Sequence, residues 1–304
     1  MRLVQILAAR LFHLAIVFAI CGTAFASAGE FAPAPDFLQL PKGLELAPCS
    51  AVDIDTSGGL YVLHRGKTPV LYFDKQHQFV RSWGEGLFGK PHGLRIDRQG
   101  NVWITDIVRH VVQKYTPAGK LLLSLGTIDK PGTSIDHFDR PADIAFDTAD
   151  NVYVADGYGN TRVIVFDKNG KYLRQWGKPG EGPGEFNVPH AICIDRKGRI
   201  LVGDRDNSRI QVFDADEKLL AMWKGFAPYG LALGADDRLY VADGVADEVL
   251  VLNLEGEILH RFGVKGDKPG DFNVPHMLVQ GADKALYVTE IDGKRVQKFV
   301  PKAK

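Results

Sequence analysis

The dipeptide Pro-His occurs at Pro91-His92, Pro189-His190 and Pro275-His276, each time opening a short, largely apolar run. A neutral imidazole is a common ligand for divalent metals, and three of them with one open position form a donor set of catalytic zinc. Arg65, Tyr158 and Arg205 make a second group, each one or two residues past the His or Asp that ends a hydrophobic run. A guanidinium grips a carboxylate through paired hydrogen bonds. A phenol beside a divalent cation and an arginine is expected to titrate below its usual range and to act as a base. These six residues make one site only if the elements that carry them bring them together.

Those elements repeat. PHGLRIDRQGNVWITD (91–106), PADIAFDTADNVYVAD (141–156) and PHAICIDRKGRILVGD (189–204) follow one pattern, and weaker copies begin at Pro48, Pro228 and Pro275. The period, roughly 40–50 residues, is that of propeller blades. Within a copy four alternating runs are separated by Gly, Asp and Asn turns; in the third copy they are DIAFD, NVYVAD, RVIVFD and KYLRQWG. The last copy has three runs, HMLVQ, ALYVTE and RVQKFV. A ring of blades must close, because an open sheet edge invites mispairing. The segment PDFLQLPKGLEL (35–46) is expected to supply the missing outer strand. The expected fold is all-β: one six-bladed β-propeller over residues 48–304, built from repeats and closed by a strand within residues 29–47.

What recurs in every copy holds the fold, and what recurs in some copies is where function hides. Asp106, Asp156, Asp204 and Asp243 end the second run, with His64 and Glu290 in the same column, and are read as turn-bonding groups. Trp83, Leu125, Trp176 and Phe262, each followed by Gly, are read as packing between blades. The Pro-His column is different: it reads Ser50, His92, Ala142, His190, Tyr229, His276. Alternate blades of a six-fold ring are related by rotations of about 120°, so these three imidazoles should converge on the central channel. A Pro-His that only caps a strand is the plainer reading of any one of them, but not of the alternation. Strand direction returns the end of the second run to the face where the first began, so Arg65, Tyr158 and Arg205 should open beside the histidines. His110 and His137 belong to no symmetric set and are read as structural, and the Gly-rich GKPGEGPGEF (177–186) as scaffold, since GVKGDKPGDF (263–272) repeats it.

The 304 residues are 45% hydrophobic and 24% charged, with a formal net charge of +0. No basic stripe marks a nucleic-acid binder. Residues 1–28 have the form of a signal peptide, with Arg2 and Arg10 ahead of an apolar run and AFA or ASA as cleavage sites near 26 or 28. The run is short for a membrane span, so an exported, periplasmic or secreted protein without stable membrane insertion is expected. Cys49 and Cys193 fall in different copies and no disulfide framework is expected.

From Pro48 onward the chain resembles the NHL-repeat propellers, and among them the peptidyl-α-hydroxyglycine α-amidating lyases. HRG (64–66), PHGLRID, VWITDIVRHVVQK, HFDRPADIAFD, VADGYGNTRVIVF, VPHAI, GDRDNSRIQVF and VPHML carry the resemblance. It implies zinc on His92, His190 and His276, a base at Tyr158, and a site served by Arg65 and Arg205. The implied reaction cleaves the N–C bond of a peptidyl-α-hydroxyglycine, or a similar N-acyl or ureido α-hydroxy acid, to an amide and glyoxylate. The partner is then a small-molecule or peptide substrate with a free carboxylate. The resemblance also implies a structural Ca2+ held by an Asp directly after the third histidine, where this chain has Met277. A family methionine is Val274 here, and the cysteines that brace the family's loops are missing, Gly159 following Tyr158. No copper monooxygenase domain lies in these residues, so a separate hydroxylating oxidase is the expected source of substrate. The alternative is a non-catalytic exported propeller that binds a protein or glycan. A calcium-dependent lactonase type needs acidic and Asn ligands on the channel, and the column offers none.

Overall fold

The structure, a computed structural model, describes residues 30–302; the signal-peptide reading falls on residues outside that range. Six four-stranded antiparallel sheets follow one another along the chain, five of them simple meanders and the sixth completed by a strand from the beginning of the chain. The first blade is Cys49–Ile54, Leu60–His64, Val70–Phe73 and Phe79–Trp83, and the second is Pro91–Ile96, Val102–Asp106, Val111–Tyr115 and Leu121–Leu125. The third is Asp143–Phe146, Val152–Asp156, Arg162–Phe166 and Tyr172–Trp176, which matches the four runs read from the sequence. Pro189–Ile194, Ile200–Asp204, Arg209–Phe213 and Leu219–Lys224 form the fourth, and Pro228–Leu233, Leu239–Asp243, Glu248–Leu252 and Ile258–Phe262 the fifth. The sixth takes Pro275–Gln280, Leu286–Glu290 and Arg295–Pro301 from the end of the chain and Phe31–Pro33 from the beginning.

The ring closes as expected, but with a different strand. Phe31–Pro33 pairs with Arg295–Pro301, Phe31 opposite Pro301 and Pro33 opposite Phe299. Residues 35–46 do not pair there. Phe37, Leu38, Leu44 and Leu46 pack instead on the apolar cluster between the sixth and first blades, and Gln39 makes only an isolated bridge to Gln78. Their apolar residues are spent on covering the seam, which leaves none of the alternation a strand needs.

Each second strand is buried along its whole length, because neighbouring blades cover both its faces. The core is correspondingly divided into six clusters, one at each blade–blade contact; Ala191, Leu201 and Ile210 of the fourth blade meet Leu231, Val241 and Leu250 of the fifth, for example. The aromatics of the fourth strands belong to these contacts. Trp83 lies 5.2 Å from Tyr115 in the next blade, and Trp176 lies 5.7 Å from Phe213. No helix among the described residues is long and apolar enough to cross a membrane.

Candidate metal centre

Each innermost strand begins at a fixed place because the acid column ties it down. The Asp204 carboxylate accepts the Asn187 N–H at 2.7 Å and the Arg209 Nε–H at 2.7 Å, and Arg209 in turn donates to the carbonyls of Gly182 and Glu185. Asp156 with Arg162 and Glu290 with Arg295 repeat the device, so the acids are scaffold, as are the Gly-rich loops they organise. One residue before the proline, Arg140, Val188 and Val274 adopt φ of 61°, 59° and 55°. That conformation is strained for a β-branched side chain. It aims each carbonyl at the loop after the second strand. Val188 O accepts the Arg205 N–H at 3.1 Å and Arg140 O the Tyr158 N–H at 3.3 Å; in the first blade Pro48 O accepts the Arg65 N–H at 3.0 Å. One backbone hydrogen bond per blade thus registers the arginine and tyrosine loops against the strand starts that carry the column.

The three histidines meet. Their ligand atoms all lie within 4.8 Å of one another, the ring centroids 4.7–5.0 Å apart, and all three residues are buried. The skipped blades turn out to have a role. His92 Nδ1 donates to the Ala142 carbonyl at 2.8 Å, His190 Nδ1 to the Tyr229 carbonyl at 2.7 Å, and His276 Nδ1 to the Ser50 carbonyl at 2.6 Å. Each acceptor is the column residue of the next blade. Those bonds fix one tautomer, with the proton on Nδ1 and the Nε2 lone pair directed at the channel. Burial holds all three imidazoles well below the usual histidine range, His276 at about 3, so they stay neutral.

Tyr158 is where the sequence reading put it, over the triad. Its hydroxyl lies 2.8 Å from His190 Nε2 and 3.0 Å from His92 Nε2. One hydroxyl proton serves two lone pairs, and among the described residues none donates to His276 Nε2. Three converging lone pairs share a single proton, an electron-rich cluster that a divalent cation satisfies. The residues fit a metal. Burial pushes the Tyr158 phenol up, and the charges of Arg205 and Arg65 offset only part of that, so the depression expected of it needs the positive charge of a divalent cation.

Both arginines come to the site. Arg205, on a 3-10 turn over Arg205–Asn207, donates from Nη1 to the Tyr158 oxygen at 3.3 Å and from Nε to Asp206 at 2.7 Å. Its guanidinium carbon lies 5.2 Å from the Tyr158 ring centroid and 4.9 Å from that of Tyr229. Tyr229 is thus a site residue that the sequence reading left in the background, although its place in the histidine column was a signal. Arg65 has no acidic partner among the described residues, and its Nε is buried without a hydrogen-bond partner. Burial pulls its guanidinium down from the usual range, and its charge bears on Tyr158, His92 and His276. His110 and His137 stay outside; His110 Nδ1 accepts the Arg140 N–H at 3.1 Å and so braces the loop next to Tyr158.

Two glycines make these approaches possible. A Cβ on Gly157 would sit 1.9 Å from the Pro189 carbonyl oxygen, so the backbone ahead of Tyr158 lies directly on the Pro-His of the next blade. A Cβ on Gly66 would meet the His64 ring at 2.4 Å, and that ring is held by the Ala47 N–H and the Thr68 carbonyl, which sets the turn presenting Arg65.

Comparison with known proteins agrees with the fold. A family profile described as a 6-bladed beta-propeller matches residues 138–223. NHL repeat-containing protein 3 of Homo sapiens is 34% identical over 278 residues, covering 83% of this chain and 79% of that protein. Peptidyl-glycine alpha-amidating monooxygenase B of Xenopus laevis is 31% identical over 309 residues, 85% of this chain and 34% of that protein. This chain therefore spans about a third of the length of the amidating monooxygenases it matches. Peptidyl-alpha-hydroxyglycine alpha-amidating lyase 2 of Drosophila melanogaster is 34% identical over 234 residues, 72% of this chain and 57% of that protein. A solved streptogramin B lyase superposes with a TM-score of 0.66 over 90% of this chain and 98% of that one, at 13% identity, which speaks for the fold alone. The chain belongs to the family of NHL-repeat β-propellers that includes the peptidyl-α-hydroxyglycine α-amidating lyases.

Proposed function

We propose that this chain is a zinc-dependent carbon–nitrogen lyase acting on a peptidyl-α-hydroxyglycine, or on a similar N-acyl or ureido α-hydroxy acid, and releasing an amide and glyoxylate. The observation that carries the reading is the set of three Nε2 lone pairs converging under one tyrosine hydroxyl, with an unpartnered guanidinium alongside. A zinc ion on His92, His190 and His276 would supply Lewis-acid polarisation of the substrate hydroxyl and a positive charge that draws the Tyr158 phenol down. Tyr158 takes the hydroxyl proton, and its oxygen, 2.8 Å from His190 Nε2, stands within reach of a group held over the triad. As that O–H pair becomes the carbonyl of glyoxylate, the C–N bond breaks and its electrons pass to the amide nitrogen. Tyr158 returns the proton to that nitrogen, so the reaction is redox-neutral and consumes no water. Arg65, with no acid of its own, binds the substrate carboxylate. Arg205, 3.3 Å from the Tyr158 oxygen, steadies the charge that develops there.

The test is zinc content measured together with glyoxylate release from α-hydroxyhippurate. One zinc per chain and turnover are expected, with both lost in His190→Ala. A chain that carries no zinc, or a His190→Ala variant with unchanged turnover, would return the protein to the alternative, a non-catalytic propeller. Export after removal of residues 1–28 and a separate oxidase that hydroxylates the substrate belong to the same proposal.

A further inference from the structure

Three residues past His92, on the same innermost strand, Arg95 crosses the channel. Its Nε and Nη2 donate to the two carboxylate oxygens of Asp143 in the third blade, at 3.1 and 2.7 Å. Its Nη2 also lies 3.5 Å from the Leu231 carbonyl oxygen of the fifth blade. The second and fifth blades face each other across the ring, so one guanidinium spans the bore below the triad. Asp53 of the first blade, in the register of Arg95, lies in its field and accepts the Ile96 N–H at 2.7 Å. Asp143 is fully buried and also accepts the Ile192 N–H at 3.2 Å. The cluster finds its partners within the protein, as a buried charge must.

A structural calcium does not fit these residues. Met277 stands where an acid would be needed, is fully buried, and packs with Ala51, Tyr61 and Leu94 in the cluster between the first and second blades. Calcium takes six to eight oxygen ligands with carboxylates prominent among them, and the Asp143 carboxylate is already gripped in a two-point pair by a guanidinium. We infer that Arg95 is the resident cation of this propeller: it takes the charge role of a bound divalent ion, seals the channel beneath the triad and leaves the metal centre open to one face.

The experiment is calcium titration of the metal-stripped protein by calorimetry, with thermal unfolding in parallel. The wild type gives no binding heat and an unchanged Tm in excess calcium. Arg95→Ala unfolds about 10 °C lower, because it strands buried carboxylates. It regains part of that loss when calcium is added, since Asp53 and Asp143 are then free to take the ion. Arg95→Lys keeps a cation and stays unresponsive to calcium. Stoichiometric calcium binding that raises the wild-type Tm would overturn the inference, and so would an Arg95→Ala protein as stable as the wild type. Should Arg95→Ala not fold, the wild-type titration decides alone. None of these readouts involves zinc or turnover, so the outcome is separate from that of the lyase reading.

Discussion

The histidine triad is made by six residues, of which three are visible as histidines. Ala142, Tyr229 and Ser50 contribute carbonyl oxygens, so their side chains left no trace in the sequence beyond their place in the column. Tyr229 adds its ring as well. With Tyr158 it offers aromatic faces to the Arg205 guanidinium, and Asp206 holds the Nε. Removing one face frees the guanidinium to swing, while the Tyr229 carbonyl still accepts from His190. Tyr229→Leu is therefore expected to lower kcat on α-hydroxyhippurate about tenfold, the scale of a desolvated cation–π contact, with KM and zinc content preserved. Tyr229→Phe should match the wild type. A Tyr229→Leu enzyme that loses zinc would mean that the ring, and not only the carbonyl, supports the triad. The burial of Tyr158 was not legible for a related reason: the arginines beside it could be read, but the burial that opposes them exists only after folding.

At the scale of elements, the site depends on how the loop after each second strand meets the start of an innermost strand. The alternation of His92, His190 and His276 was legible because blade repeats are long and regular, and strand direction placed Arg65, Tyr158 and Arg205 on the same face. The hydrogen bonds that set the register were not legible, since they are backbone to backbone and depend on left-handed Val188 and Arg140. Arg95 was missed although a signal existed: an arginine on the innermost strand in PHGLRID, where the other blades carry Asp, Ala, Cys, Ala and Val. Gly157 tests the element-level account. An added Cβ cannot coexist with the Pro189 carbonyl 1.9 Å away, so Gly157→Ala must push the Tyr158 loop off the fourth blade. A displacement of about 1 Å at a reacting group costs on the order of a hundredfold. The expectation is a kcat lower by roughly that factor with one zinc still bound, because no histidine sits on the displaced loop. Retention of full activity would show that the loop, and Tyr158 with it, finds its position some other way.

The whole ring gives the triad its precision, since rotations of about 120° bring three strands to one axis only if the circle is closed. Closure rests on three residues. Phe31–Pro33 completes the sixth blade, and the Phe31 ring stacks on Phe262 at 5.6 Å and meets Tyr240 edge-on at 6.0 Å. Glu30 adds an ion pair with Arg238, and its carbonyl accepts the Lys302 N–H at 2.8 Å. A strand this short has no alternation to read, which is why the longer apolar segment 35–46 looked the better candidate. A chain beginning at Pro35 keeps that segment on the first-blade seam and loses only the closing strand. It exposes the unpaired edge of Arg295–Pro301, a template for another molecule. Loss of the half-buried Phe31 and its ladder costs about 2–4 kcal/mol, equivalent to roughly 4–16 °C in Tm. The shortened chain should unfold earlier in a thermal scan and self-associate in gel filtration, and a peptide carrying Glu30–Ala34 should reverse both. If the shortened chain stayed monomeric at the wild-type Tm, closure would belong to residues 35–46 after all, and the sixth blade's outer edge would need no partner.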